Sequence, residues 1–165
     1  MKTGLLCLFV MFIQWKTSEL SAQYSHNDWS VYYGGINNEY VEEVATDPSG
    51  NIVIAGKTKS NSGIATTGAH QVKFGGGASD AFVAKYDSGG NLLWSGYLGG
   101  TLTEYAYAVS TDVNGNIYIG GKTNSTNNIS TAGSYQPVFG GGGNDGFISK
   151  FSPQGDLLWS TGRRG

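Results

Sequence analysis

The dipeptide Trp-Ser occurs three times at equal spacing, at residues 29–30, 94–95 and 159–160. When residues 29–93 are aligned without a gap on residues 94–158, 32 of the 65 paired positions are identical. Similarity at a fixed period is the signature of stacked repeats, in which one unit cannot bury its apolar faces alone. The sequence therefore predicts two tandem copies of one structural unit.

Each copy contains four segments that are interpreted as β-strands, because apolar side chains alternate at Tyr105, Tyr107 and Val109 and again at Ile117 and Ile119. In the first copy these are residues 41–46, 52–57, 81–86 and 92–98, and the second copy has its segments at the matching positions. The linkers between the first and second and between the third and fourth segments are rich in Asp, Gly and Asn, which is typical of hairpin turns. Four antiparallel strands in this order predict an all-β fold of tandem β-propeller blades.

Several motifs recur in the same order in both copies: Trp-Ser-x-Tyr-x-Gly-Gly, Val-x-Thr-Asp-x-x-Gly-Asn-Ile, Gly-Lys-Thr-x-Ser and Phe-Gly-Gly-Gly-x-x-Asp-x-Phe. Together they resemble the SBBP type of β-propeller repeat. The resemblance implies an array of blades of the kind found in exported bacterial proteins, often beside adhesion modules. It predicts the fold more firmly than the function, because a fold alone does not define an activity.

Residues 1–22 predict a Sec signal peptide, since Lys2 precedes an apolar run at residues 5–13 and the segment ends in Leu-Ser-Ala. That run is too short to cross a bilayer as a helix, so we expect no permanent membrane span. Cleavage after Ala22 would remove Cys7, which is the only cysteine. We therefore expect a protein that is secreted or displayed at the cell surface and is stabilised without disulfides.

After the signal peptide we expect a leading strand and linker at residues 23–40, a first blade at residues 41–100 and a second blade at residues 101–165. A closed propeller usually has four to eight blades, so two blades predict an incomplete ring. The third copy diverges after Trp159-Ser160, which suggests a truncated or frame-shifted member of a longer parent. The alternative is a lectin-like protomer of two blades that closes a ring by homo-oligomerisation.

We expect no catalytic residue, no cofactor and no metal site. The glycine-rich stretches at residues 74–80 and 139–145 lack the Gly-Lys-Ser/Thr of a phosphate-binding loop, and a turn capped by the following aspartate explains them better. Glu39, Asp80 and Lys85 recur at the matching positions of the second copy, and charges that are repeated in every blade favour a structural role over catalysis. A hydrolase or lyase remains the alternative, and it would need acidic or histidine residues present in one blade only.

Two long segments, residues 58–79 and 123–144, separate the second and third predicted strands of each copy. Loops of this length are usually functional or disordered, and their repeated apolar and polar anchors indicate order. The formal net charge is only −2, so we expect no nucleic-acid partner. We expect a binding or scaffold role at the cell surface, with a protein or glycan contacting His70, Gln71, Phe74, Tyr135, Gln136 and Phe139.

Overall fold

The computed structural model describes residues 29–164, and over this range the chain is all-β. Eight strands form two four-stranded antiparallel sheets, each with its strands in sequence order. The strands are β1 (Glu39–Thr46), β2 (Ile52–Thr58), β3 (Asp80–Tyr86), β4 (Leu92–Leu98), β5 (Glu104–Thr111), β6 (Ile117–Thr123), β7 (Asp145–Phe151) and β8 (Leu157–Arg164). The predicted all-β fold of two propeller blades is confirmed. The predicted signal peptide lies outside the described residues.

We refer to the sheet of β1 to β4 as blade 1 and to that of β5 to β8 as blade 2. The ends of the eight strands predicted for the two blades lie within two residues of the observed ends. The largest difference is at β1, which begins at Glu39 because Glu39 and Tyr40 pair with Thr58 and Lys57 of β2. Within residues 29–164 no helix is long and apolar enough to cross a membrane.

Three of the four hairpin turns are closed by an aspartate side chain, and the turn between β7 and β8 by Ser152, whose Oγ accepts from the N–H of Asp156 at 3.1 Å. Asp47 Oδ1 accepts hydrogen bonds from the backbone N–H groups of Ser49 and Asn51, at 2.8 and 3.0 Å. A carboxylate that satisfies backbone donors two and four residues further on closes the turn locally. The same arrangement recurs at Asp87 and Asp112, so the predicted turns are confirmed.

The core lies where the two blades stack. β5 of blade 2 packs against β1, β2 and β3 of blade 1. A single sheet buries an apolar face only by packing it on another layer, and here each blade serves as that layer for the other. The core residues are Val53, Ala55, Ala81, Val83 and Leu98 from blade 1, and Ala106, Val109, Ile117, Ile119, Ile129, Phe147 and Phe151 from blade 2.

The Trp94 side chain of β4 links blade 1 to blade 2. The indole N–H of Trp94 donates to the carbonyl of Pro153, which lies in the turn between β7 and β8, at 3.0 Å. The Trp94 ring lies 6.4 Å, centre to centre, from the ring of Phe151. Gly155 in the same turn lies so close to the Trp94 ring that a Cβ there would be 2.8 Å from it. One side chain therefore combines apolar packing with a hydrogen bond that fixes its orientation.

The leading strand predicted around Trp29 is not formed, since residues 29–38 contain no strand. The Trp29 side chain nevertheless makes the same contacts with blade 1 as Trp94 makes with blade 2. Its N–H donates to Ser88 O at 3.1 Å, and its ring centre lies 6.2 Å from that of Tyr86. β4 pairs with β3, whereas residues 29–38 pair with no strand among the described residues.

The long connection between β2 and β3, residues 59–79, is named the first long loop, and it runs along the edge of β4. Thr66 N–H donates to Ser95 O at 2.9 Å, and Tyr97 N–H donates to Gln71 O at 3.0 Å. Covering an edge strand in this way occupies its free backbone groups. The second long loop, residues 124–144, repeats both bonds on β8 through Thr131 with Ser160 and Gln136 with Gly162. The predicted order of the loops is confirmed.

Alanine at Gly155 should destabilise the protein more than alanine at Gly50. Both glycines have positive φ angles, 95° and 78°, so each substitution carries a backbone cost of about 1 kcal/mol. A new Cβ meets the Trp94 ring at Gly155 and nothing within 4 Å at Gly50. We expect Gly155→Ala to lower the free energy of unfolding by roughly 1–3 kcal/mol more than Gly50→Ala, measured by urea denaturation. Equal losses would show that the Trp94 ring does not pack on this turn.

Candidate ligand-binding groove

An open groove of about 500 Å³ lies between the two long loops. Its wall is made by side chains from both blades, so the groove exists only because the blades stack. The lining residues are His70, Gln71, Lys73, Phe74 and Gly75 of the first long loop, Asn128, Ile129, Ser130 and Thr131 of the second long loop, and Leu157 of β8.

Two polar side chains of the groove wall hold the loops in place. Gln71 Oε1 accepts from the N–H of Gly99 at 3.0 Å, and its Nε2 donates to the carbonyl of Lys73 at 2.9 Å. Thr131 Oγ1 donates to Ser160 O and accepts from Ser160 N–H, both at 3.1 Å. These residues shape the groove. The other polar side chains on its wall are those of His70, Lys73, Asn128 and Ser130.

His70 extends from blade 1 across the junction. Its ring centre lies 6.1 Å from that of Phe151 in blade 2, with the two planes at 71°. Desolvation in this position lowers the pKa of the His70 imidazole below its ordinary value, because burial disfavours the charged form. The ring is therefore neutral at pH 7, with one nitrogen that donates a hydrogen bond and one that accepts.

Asn128 has an unusual backbone conformation at the groove wall. Its φ is 59°, in the left-handed region that glycine favours, and the matching residue of the first copy is Gly63 with a φ of 79°. Asparagine tolerates this region better than most residues, although at some cost. The second copy thus places an amide side chain where the first copy has none.

A buried carboxylate anchors the loop that carries the groove residues. Asp80 is completely buried, and its Oδ2 accepts from the N–H of Gly75 at 2.6 Å and from Gln71 Nε2 at 3.4 Å. Burial, together with the charge of Glu104, raises the pKa of the Asp80 carboxyl to about 7. Desolvation disfavours the ionised form, and a second acid nearby adds to that effect.

The remaining repeated charges also have structural partners. Glu104 accepts from the N–H of Gly100 at 2.8 Å and from Thr123 Oγ1 at 2.6 Å. Lys85 forms a buried ion pair with Asp47 at 2.8 Å and donates across the junction to Pro153 O at 3.2 Å. These contacts agree with the structural role expected for the repeated charges. Across residues 29–164, His, Cys, Asp and Glu side chains form no group of three that could hold a metal ion.

The structure brings together three of the six predicted contact residues, His70, Gln71 and Phe74. The other three lie elsewhere in blade 2. Tyr135 is 92% exposed, Gln136 Nε2 donates to Val138 O and to Asp145 Oδ2, and Phe139 lines a separate cavity.

Residues 128–131 of the groove wall were missed by the sequence reasoning. They match residues 63–66 of the first copy, which hold the first loop to its own blade. The stacking of the blades places the beginning of the second long loop opposite the end of the first long loop. The sequence of a single copy does not predict this contact between loops.

Residues 93–129 match the family model described as SBBP, a β-propeller repeat. The matched span runs from β4 through β5 and β6 into the second long loop, so it includes the junction between the blades. The resemblance inferred from the motifs is confirmed, and the chain contains an SBBP β-propeller repeat.

The chain is also similar to an uncharacterized WD repeat-containing protein of Acanthamoeba polyphaga mimivirus, with 28% identity over 156 residues. The alignment covers 81% of this chain and 11% of the relative, so the chain spans about a tenth of the relative's length. WD repeats form four-stranded propeller blades as well. Both comparisons thus describe a repeat scaffold.

Replacing Asp80 by asparagine should remove a pH dependence of stability. The folded pKa is about 7 and the ordinary value is 3.8, so between these values the folded protein keeps a proton that the unfolded chain releases. Stability therefore falls as the pH rises from about 4 to about 7, by up to about 1.4 kcal/mol per pH unit. Urea denaturation of wild type and Asp80→Asn at pH 4.5, 6 and 7.5 measures the difference.

Asp87→Asn is the matched control, because the pKa of the exposed Asp87 carboxyl is lowered by its turn hydrogen bonds and affects stability only at acid pH. We expect it to keep the wild-type slope between pH 4.5 and 7.5. An Asp80→Asn variant with the wild-type slope would contradict the raised pKa.

Proposed function

Because the chain contains an SBBP β-propeller repeat and folds into two stacked blades, we propose that it is an exported, non-catalytic scaffold that binds a glycan in the groove between its long loops. The observation that carries this proposal is the groove itself, with donors and acceptors from both blades on one wall. The predicted signal peptide supports a position outside the cell or at its surface.

The chemistry of the groove suits a saccharide. A neutral imidazole, an amide and a hydroxyl offer both donors and acceptors to sugar hydroxyls, through His70, Asn128 and Ser130. Phe74 and Leu157 add apolar surface for the C–H face of a sugar ring. Binding sites commonly combine apolar walls with a few well-placed polar groups.

The same lining argues against chemistry on the ligand. Hydrolases and lyases need a general acid or base at the bond that reacts. The groove lining includes no carboxylate, and the nearby Asp80 is buried against Gly75. His70 is the one imidazole on the wall, and it has no acid beside it in the lining. These observations support binding over the hydrolase or lyase alternative.

A scaffold role is also supported by the outer face of blade 2. Ile148 is 43% exposed there, whereas the matching Val83 of blade 1 is 1% exposed because blade 2 covers it. Trp159, the counterpart of Trp94, is 38% exposed and contacts Tyr118 of its own blade. The exposed outer face of blade 2 therefore corresponds to the face of blade 1 that blade 2 covers. Another blade of the same kind could pack on it.

Ring closure by identical protomers remains a prediction, and it would require the contacts of Trp29 to be displaced. Trp159 of one copy would have to dock on blade 1 of the next copy, near Ser88 and Tyr86. Trp29 already makes those contacts within the chain. The segment around Trp29 would have to move away before a second copy could bind.

The glycan proposal is tested by incubating the purified chain with an oligosaccharide array and measuring affinities for any sugar retained. We expect His70→Ala and Asn128→Gly each to weaken binding roughly tenfold, since each loses a hydrogen bond worth about 1 kcal/mol or more. Asn128→Gly restores the residue found in the first copy and should leave the loop intact.

Tyr135→Ala is the control, because Tyr135 is the counterpart of His70 in the second copy and does not line the groove. Its affinity should equal that of the wild type. An array without any retained sugar, or equal losses in all three variants, would refute glycan binding in this groove.

A further inference from the structure

A second cavity lies inside blade 2 and shares Asn128, Ile129 and Ser130 of its lining with the groove. It has a volume of about 40 Å³, and its lining includes Ser125, Ile129, Phe139, Asp145 and Gly162. Gly162 of β8 occupies the position that Tyr97 of β4 occupies in the first copy. The two copies therefore differ here by an entire aromatic side chain.

In blade 1 the matching space is filled by the ring of Tyr97. This side chain is 1% exposed, and its hydroxyl donates to the carbonyl of Ser60 at 2.9 Å. Its ring lies edge-on to Phe74, with the centres 6.0 Å apart at 78°, and packs in one cluster with Ile64 and Phe82. The ring thus has an apolar enclosure and one hydrogen-bond acceptor.

Blade 2 keeps every one of these partners. The matching residues are identical in type: Ser125, Phe139, Ile129 and Phe147. The backbone is held in the same way too, since Gly162 N–H donates to Gln136 O at 3.1 Å as Tyr97 N–H donates to Gln71 O at 3.0 Å. The residue types that surround the Tyr97 ring in blade 1 are present in blade 2, and the tyrosine itself is replaced by a glycine.

We propose that this cavity binds a small phenol, whose ring takes the place of the missing tyrosine ring. The ring would pack on Phe139 and Ile129, and its hydroxyl would donate to the carbonyl of Ser125. The volume of about 40 Å³ accommodates roughly three waters, so a ring requires the second long loop to move outward. The first long loop encloses a complete ring with the same contact residues, which shows that this loop type has room for one.

Val138 lines the cavity and is 69% exposed. The cavity lining is more polar than an engineered hydrocarbon cavity, since it includes Thr123, Ser125 and Asp145. An unsubstituted aromatic ring such as benzene would leave the Ser125 carbonyl without a donor. The geometry therefore favours a ring that carries a hydroxyl group.

The first test is binding of phenol to the full chain, measured by NMR titration. We expect a dissociation constant of about 1 mM, as for other small fragments, and at least fivefold weaker binding of benzene. Intermolecular NOEs from phenol should reach the Ile129 methyl groups and the Phe139 ring. Absence of these NOEs at 10 mM phenol would overturn the proposal.

The second test fills the cavity from within. A Cβ at Gly162 meets no heavy atom closer than 3.5 Å, so larger side chains can start there. We expect Gly162→Tyr to raise the Tm by about 2–8 °C and to weaken phenol binding at least tenfold. Gly162→Ala should keep phenol binding within threefold of wild type. Equal phenol affinity in wild type and Gly162→Tyr would show that phenol binds elsewhere and would refute the site.

The same titration with N-acetyltyrosinamide distinguishes the source of the phenol. If only free phenol gives the NOEs to the Phe139 ring, the site takes a small phenolic compound. If the tyrosine derivative gives them as well, a tyrosine side chain of a peptide can enter. Both results support the site. Phe139 lines the cavity and not the groove, so NOEs to its ring distinguish phenol in the cavity from a ligand in the groove.

Discussion

The structure depends on one constraint, which is that a four-stranded sheet has two faces and must cover at least one of them with another layer. Blade 1 and blade 2 meet this constraint for each other through a common apolar core. The contact of Trp94 with blade 2 determines the relative position of the two blades. Trp94 has its ring on Phe151 and its indole N–H on Pro153 O, so it fixes the position of one blade relative to the next in both distance and orientation. Trp29 makes equivalent contacts without belonging to a strand, which shows that the contact does not need the sheet around it.

Local sequence patterns predicted most of the fold because most of it is local. The hairpins between β1 and β2 and between β3 and β4 are closed by Asp47 and Asp87, whose side chains bond to backbone donors up to four positions away. The alternation of side chains then determines the strands. The leading strand expected around Trp29 is not formed within residues 29–38, because pairing depends on a neighbouring strand and the motif around Trp29 is the same whether that neighbour exists or not.

The groove could be predicted only in part, for a similar reason. His70, Gln71 and Phe74 were recognised from the length and anchors of one loop. Their partners at residues 128–131 belong to the next copy, and only the stacking brings them near. The similarity of the two copies was misleading here, because it suggested that Tyr135 and Phe139 would line a binding site as His70 and Phe74 do. They occupy equivalent positions within blade 2, but no loop of a following blade faces them among the described residues.

Differences between the copies therefore carry more functional information than the similarities do. Several residues with structural contacts are the same in both copies, as Trp29 with Trp94, Asp47 with Asp112 and Asp80 with Asp145 show. The differences that matter lie in or beside the long loops: His70 against Tyr135, Gly63 against Asn128, and Tyr97 against Gly162. The first two differences concern residues of the groove wall, and the third lies at the small cavity of blade 2. All three differences therefore lie at the groove and at the cavity, the two places where we propose that a ligand binds.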